Sequence, residues 1–302
     1  WHPEDEVIKG ELHGIESVEL ISVGIDIGTT TTQLMLSRML ARRKGGEHAS
    51  TFVIEEREPV YESDIILTPY EDVESDRIDA QAIDEFVQSA YEDAGYTPEE
   101  DDTGAVIITG EACRTENADR IIDVFSAQSG KFVCAVAGAN LETLMAAHGS
   151  GAVDYAVDES VQLLHVDVGG GTTKIAYVDE GFVEETASIN VGARLVAFDQ
   201  EGRVTRLEDA ATKVAANVGV ELVRGEVVTD EERRLVAERF AELLFEAVTG
   251  EPSALARELM VTELPDFPRF DVITFSGGGA EYIYERENDD FGDLGPELGG
   301  AI

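Results

Sequence analysis

The chain has 302 residues, with 63 Asp and Glu against 22 Lys and Arg, for a formal net charge of −41. At about 100–200 residues per domain the length fits two domains. A hydrophobic fraction of 43% with 29 glycines excludes a disordered polyanion. The charge argues against nucleic acid and anionic membranes as partners, because both repel a surface of this sign. The acids are spread along the chain and only five of the bases are Lys. That pattern is expected of a protein adapted to molar salt, where the Debye length falls to about 3 Å. Cys113 and Cys134 have no metal-ligand spacing and read as reduced thiols. No apolar run approaches the about 20 residues of a membrane span. A cytoplasmic location in a high-salt cytosol is therefore expected, with 1–18 a flexible N-terminus.

In chain order, apolar runs predict strands over 19–27, 31–38 and 51–60. Helical spacing of Ile78, Ala82, Ile83, Phe86, Val87 and Ala90 predicts a helix over 78–94, stopped by Gly95. Strands at 105–109 and 131–136 and helices at 117–128 and 141–147 complete the first half. The acidic run 99–102 reads as a loop, and 149–158 as the crossover between halves. The second half opens with strands at 161–168, 173–179 and 182–190. A helical block follows over 192–260, with strong periodicity at 230–249. A strand at 271–275 then feeds a Gly-rich turn and a helix at 281–285. Strands leading into Gly-rich turns and helices indicate α/β layers.

An internal repeat organises these elements. Residues 26–33 read Asp-Ile-Gly-Thr-Thr-Thr-Thr-Gln and residues 167–174 read Asp-Val-Gly-Gly-Gly-Thr-Thr-Lys, each between two strands. The aspartates stand 167 − 26 = 141 residues apart, a domain length, so the expected domains are 19–150 and 151–302. A turn of this kind can direct backbone N–H groups at an anion, and glycine lets a phosphate approach the main chain. An aspartate serves such a site through Mg²⁺, which takes one or two carboxylates plus phosphate oxygens. Either turn alone is also an ordinary hairpin; two copies form a plausible clamp on a triphosphate. A third segment, Phe275-Ser-Gly-Gly-Gly-Ala280, runs from a strand into a helix and suits close backbone approach to a ligand. There is no P-loop and no Gly-x-Gly-x-x-Gly turn.

The three segments, in this order, resemble the two phosphate motifs and the adenosine motif of the actin, Hsp70 and sugar-kinase ATPase superfamily. The resemblance implies duplicated actin-like (ribonuclease H-like) α/β domains with an interdomain nucleotide cleft. More narrowly, 22–33, 106–111, 132–151, 189–195 and 291–296 resemble the EutA family of ethanolamine ammonia-lyase reactivating factors. The resemblance implies that members of that family extend C-terminally beyond the stretch matched here. The resemblance implies an ATP-dependent, chaperone-like factor that exchanges damaged for intact cobalamin on ethanolamine ammonia-lyase. It also implies slow hydrolysis of ATP to ADP, and leaves room for microcompartment association and a homo-oligomer.

On that pattern Asp26 and Asp167 would hold Mg²⁺ and orient water. Gly28, Thr29, Thr30, Thr31, Gly169, Gly170, Gly171, Thr172 and Thr173 would line the phosphates, and Gly277, Gly278 and Gly279 the adenosine. Asn140 and Glu142 are the candidates for the residue that positions the attacking water, and Glu142 reads equally as a solvated acid in a first helical turn. Lys174 pairs with a phosphate or with a nearby carboxylate. Glu111 and Arg114 read as a surface pair, and His148 and His165 as structural histidines. The rival functions are a small-molecule kinase of the same fold and an actin-like scaffold.

Overall fold

A computed structural model describes residues 17–28, 31–44, 52–71, 77–109 and 132–302. The chain forms two compact units, Trp1–Val136 and Ala137–Ile302. The first contains β1 (Ser17–Ile27), β2 (Thr31–Arg43), β3 (Phe52–Glu62), β4 (Ile66–Leu67), α1 (Ala80–Ala94) and β5 (Thr103–Thr109), with β6 (Phe132–Ala137) at its end. Its sheet has the order β3-β2-β1-β5-β6, with β4 beside β2. Ser17 and Val18, expected in the flexible N-terminus, are the first residues of β1.

Alternation decides which way this sheet faces. Val23, Ile25 and Ile27 are buried while Gly24 and Asp26 between them are exposed. The buried set packs with Ile83, Val87 and Ala90 of α1. Helix α1 starts at an aspartate cap: Asp79 Oδ1 accepts the N–H groups of Gln81 and Ala82 at 3.0 and 3.1 Å.

The acidic run at 99–102 is more than a solvated loop. Asp101 is fully buried and accepts a hydrogen bond from the Tyr91 hydroxyl. Asp102 Oδ2 accepts the Ile21 N–H at 2.8 Å. Burial, then the bond to Asp101, push the Tyr91 pKa up. Removing one partner of a buried polar pair leaves the other short of a bond. Tyr91→Phe is thus expected to destabilise the protein by about 1–3 kcal/mol in urea unfolding. A loss below about 0.5 kcal/mol, the range of ordinary surface changes, would contradict this account.

The second unit contains α2 (Ala139–Gly149), α3 (Ala152–Glu159), β7 (Leu163–Val168), β8 (Thr173–Asp179), β9 (Phe182–Ile189), β10 (Val196–Phe198), β11 (Val204–Leu207), α4 (Asp209–Asn217), α5 (Asp230–Thr249), α6 (Ala254–Leu259), β12 (Val272–Ser276), α7 (Gly278–Ile283) and α8 (Gly295–Ala301). Its main sheet has the order β12-β7-β8-β9. Strands β7, β8 and β9 are antiparallel in succession and β12 is parallel to β7. Strands β5, β1, β2 and β3 follow the same plan in the first unit. The repeat therefore extends from sequence to topology.

Helices cover both faces of the second sheet. Leu164, Val166, Val168 and Ile175 pack with Val214 of α4 and Val236, Ala237 and Phe240 of α5. On the other face Leu163, Ala176 and Val178 pack with Ala147, Ala152, Val153 and Ala156 of α2 and α3. Helix α2 thus packs within the second unit, whereas the domain expected at 19–150 included it.

Three expectations are corrected. The crossover at 149–158 is largely helix α3, whose short apolar face of Ala152, Val153 and Ala156 sits among acids. The helical block at 192–260 contains the β10–β11 hairpin, with strands of three and four residues, too short for alternation to register. The last helical signal starts earlier than 281, because α7 begins at Gly278. The segment 1–16, Thr29, Thr30, Glu111, Cys113, Arg114 and the helix expected at 117–128 lie outside the described residues.

Candidate functional site

In each unit the first strand of the repeat ends in Asp-x-Gly and the next strand returns antiparallel. Asp26 lies opposite Gln33, and the Gly28 N–H donates to Thr31 O at 2.9 Å. Asp167 lies opposite Lys174, and the Gly169 N–H donates to Thr172 O at 3.1 Å. The parallel neighbour brings a hydroxyl to each aspartate. The Ser276 hydroxyl of β12 donates to Asp167 Oδ1 at 2.7 Å, and the Thr109 hydroxyl of β5 stands 3.4 Å from Asp26 Oδ1. Asp26 is exposed and Asp167 half-buried.

The turn at Gly169–Thr172 is held from behind. The N–H groups of Ala193 and Arg194 donate to Gly169 O at 3.3 Å and Gly170 O at 2.7 Å. Gly192 makes that approach possible, since a Cβ there would stand 2.4 Å from Gly170 O. The N–H groups of Gly170, Gly171 and Thr172 have no hydrogen bond among the described residues. Such a row of N–H groups is an anion cradle. The third segment meets the turn at its root. Gly277 has φ +78, and a Cβ there would lie 2.5 Å from Val168 O and 2.9 Å from Asp167 Oδ1.

The cations beside the turn are both paired. Lys174 Nζ stands 2.5 Å from Glu142 Oε1 of α2, with side-chain exposures of 9% and 15%. Arg194 Nε lies 2.7 Å from Asp293 Oδ2. Glu142 is therefore not a solvated first-turn acid, and Lys174 has the carboxylate as its partner. Asn140, also in the first turn of α2, is exposed. Thr173 is fully buried and donates its hydroxyl to Val191 O at 2.7 Å, so it fastens the loop behind the turn. Gly278 is exposed and Gly279 buried, Gly171 and Thr172 are half-buried, and Thr31 is half-buried at the start of β2.

Sequence reasoning gave Ser276 no role and read His165 as structural. His165 is 2% exposed. Its Nε2 lies 2.9 Å from Ser276 Oγ and 3.1 Å from Ser150 Oγ, and its Nδ1 lies 2.9 Å from Thr274 Oγ1. Burial lowers its pKa, and the charge of Asp167 raises it by less. The readable signal is the shared period of His165-Val166-Asp167 and Thr274-Phe275-Ser276, which puts the polar residues of both strands on one face.

Among the described residues no group of three or more His, Cys, Asp or Glu side chains could hold a metal ion. Mg²⁺ does not require one, since phosphate and water oxygens fill the sites that one or two carboxylates leave. Asp167 beside three unpaired N–H groups fits a magnesium-bound polyphosphate in that way. A cavity of about 850 Å³ lies elsewhere in the second unit, lined by Phe198, Gly202, Thr229 and Arg233 among others and by none of the motif residues. No helix among the described residues is long and apolar enough to cross a membrane.

These features define an α/β protein with a twice-repeated strand plan and an Asp-x-Gly turn at the end of the first strand of each copy. The chain matches the sequence model of the family described as ethanolamine utilisation protein EutA over residues 18–302, and it belongs to that family. It is 36% identical over 288 residues to the ethanolamine ammonia-lyase reactivase EutA of Salmonella typhimurium strain LT2, and that match covers 94% of this chain. It is 35% identical over 299 residues to the reactivase of the same name from Escherichia coli K12, again over 94% of this chain. The chain spans 61% of the length of each of these relatives. Among solved structures, a Ppx/GppA family member from Aquifex aeolicus superposes with a TM-score of 0.49 at 18% identity, covering 90% of this chain and 72% of that one.

Proposed function

We propose that this chain is the nucleotide-binding part of an ATP-dependent factor that restores adenosylcobalamin-dependent ethanolamine ammonia-lyase by exchanging damaged for intact cobalamin. The observation that carries this reading is its 36% and 35% identity to two reactivases of that name, in matches that cover 94% of its length. The geometry supports the nucleotide half of it. In the second unit Asp167 is the carboxylate offered to Mg²⁺, and Gly170, Gly171 and Thr172 offer N–H groups to phosphate oxygens; Asp26 holds the corresponding place in the repeat of the first unit. Gly277 and Gly278 offer bare backbone to the nucleoside. Bound Mg²⁺ would neutralise phosphate charge. The chain's own residues position the phosphates and hold Asp167 in place, which is most of what phosphoryl transfer asks of a protein.

The test uses the full-length protein. Inactivated ethanolamine ammonia-lyase is incubated with it, ATP, Mg²⁺ and adenosylcobalamin, and lyase activity is expected to return. No return in that mixture would overturn the reactivase reading. A chelator is expected to abolish both reactivation and ATP binding. The motif turns hold no base besides the Glu142-paired Lys174, and the chain carries a net charge of −41. ATP affinity that persists in chelator at low salt would contradict the magnesium assignment.

A further inference from the structure

We infer that Ser276 and His165 are positioning residues for Asp167, joined to it in a hydroxyl–imidazole relay that fixes which carboxylate oxygen faces the turn. The inference rests on the reading that Asp167 serves a magnesium-bound nucleotide.

The proton positions follow from donor and acceptor chemistry. An ionised carboxylate only accepts, so at 2.7 Å from Asp167 Oδ1 the Ser276 hydroxyl spends its one proton there. Ser276 Oγ must then accept from His165 Nε2, 2.9 Å away, which places the ring proton on Nε2. The Nδ1 atom is left as an acceptor for the Thr274 hydroxyl at 2.9 Å. Ser150 Oγ, 3.1 Å from Nε2, agrees with this assignment, because its own proton is directed to Ala147 O at 3.3 Å. The chain of bonds thus runs one way, from Thr274 through His165 and Ser276 to Asp167.

The register makes the relay rigid. Thr274 is paired with His165 and Ser276 with Asp167 across two parallel strands, so four polar side chains share one face of the sheet. Gly277 leaves Oδ1 its place, since a Cβ there would stand 2.9 Å from it. Oδ1 is therefore committed, and Oδ2, which has no hydrogen bond among the described residues, remains for the turn. The first unit repeats the arrangement in looser form, with Thr109 on β5 beside Asp26 on β1. A hydroxyl on the parallel neighbour is thus part of the repeated design. In the second unit the buried imidazole behind the hydroxyl tightens it.

Two measurements on the whole chain test this. Long-range ¹⁵N–¹H NMR without nucleotide is expected to find the His165 proton on Nε2; an Nδ1–H ring would overturn the relay. In Mg²⁺-dependent ATP hydrolysis, Ser276→Ala is expected to lower kcat by about 10–100-fold, the usual scale for losing the partner of a ligating carboxylate, with KM changed by less than about 2-fold. Ser276→Thr, which keeps the hydroxyl, is expected to restore kcat to within about 3-fold of wild type, well short of that 10–100-fold loss. An unchanged kcat in Ser276→Ala, or equal losses in the Ala and Thr variants, would overturn the positioning role. A wild-type protein that hydrolyses no ATP although its ring carries Nε2–H would instead overturn the reading of Asp167.

Discussion

Asp167→Asn is expected to lower Mg²⁺-dependent ATP hydrolysis by about 100-fold or more, the scale of losing one preorganised charge contact in a transition state. The fold is expected to survive. Asn keeps the shape of Asp, and its carbonyl oxygen can still accept the Ser276 hydroxyl that now donates to Oδ1 at 2.7 Å. What disappears is the negative charge next to the row of N–H groups at Gly170–Thr172. The carboxylate beside the turn that could replace that charge, Glu142, is already paired with Lys174, and the turn itself is glycine and threonine. The measurement is steady-state turnover against Mg²⁺ concentration, paired with a melting curve to show that the variant is folded. Turnover equal to wild type at every Mg²⁺ concentration would remove Asp167 from the metal site.

The aspartate could be found in the sequence because its environment is local. Strand, Asp-x-Gly turn and returning strand lie within a dozen residues, and both copies carry the pattern. The apolar run over 19–27 gave β1 in the same way. Helix α5 was equally plain. Its capping box, in which Glu232 Oε2 accepts the Thr229 N–H at 2.9 Å, lies next to its apolar stripe.

What stayed hidden depends on distance along the chain or on very short elements. Ser276 and Asp167 are 109 residues apart, and only the β7–β12 register makes them neighbours. Glu142 reaches Lys174 only because α2 packs over the same face of the second sheet. Strands β10 and β11 fall below the length at which alternation differs from chance, and α3 presents so small an apolar face that its acids dominate the pattern. Residues of mixed character also mislead in isolation. Thr173 belongs to a phosphate-like motif, yet its hydroxyl is turned to Val191 O and its side chain is fully buried.

The Lys174–Glu142 pair is the second place where a large effect is expected. Both side chains are largely withdrawn from water, at 9% and 15% exposure, so removal of either leaves a charge that the interior must hold alone. Glu142→Gln and Lys174→Met are each expected to lower the unfolding free energy by about 3–5 kcal/mol, whereas the Glu142→Leu, Lys174→Met double variant recovers most of the loss. Urea unfolding of the two single variants and the double variant measures this, and losses below about 1 kcal/mol in both single variants, the range of an exposed pair, would refute it. A second readout decides what the lysine can do besides. Lys174 Nζ lies 3.5 Å from where a Cβ on Gly169 would stand, at the root of the N–H row. Freed from Glu142, the ammonium has Asp167, opposite it in the register, and a bound triphosphate as counter-charges. A ligand stabilises a protein according to its affinity for the folded state, so saturating Mg-ATP is expected to raise the melting temperature of Glu142→Gln by more than that of wild type. Equal shifts would show that Lys174 serves the carboxylate alone, and that the phosphates rely on backbone N–H groups and the metal ion.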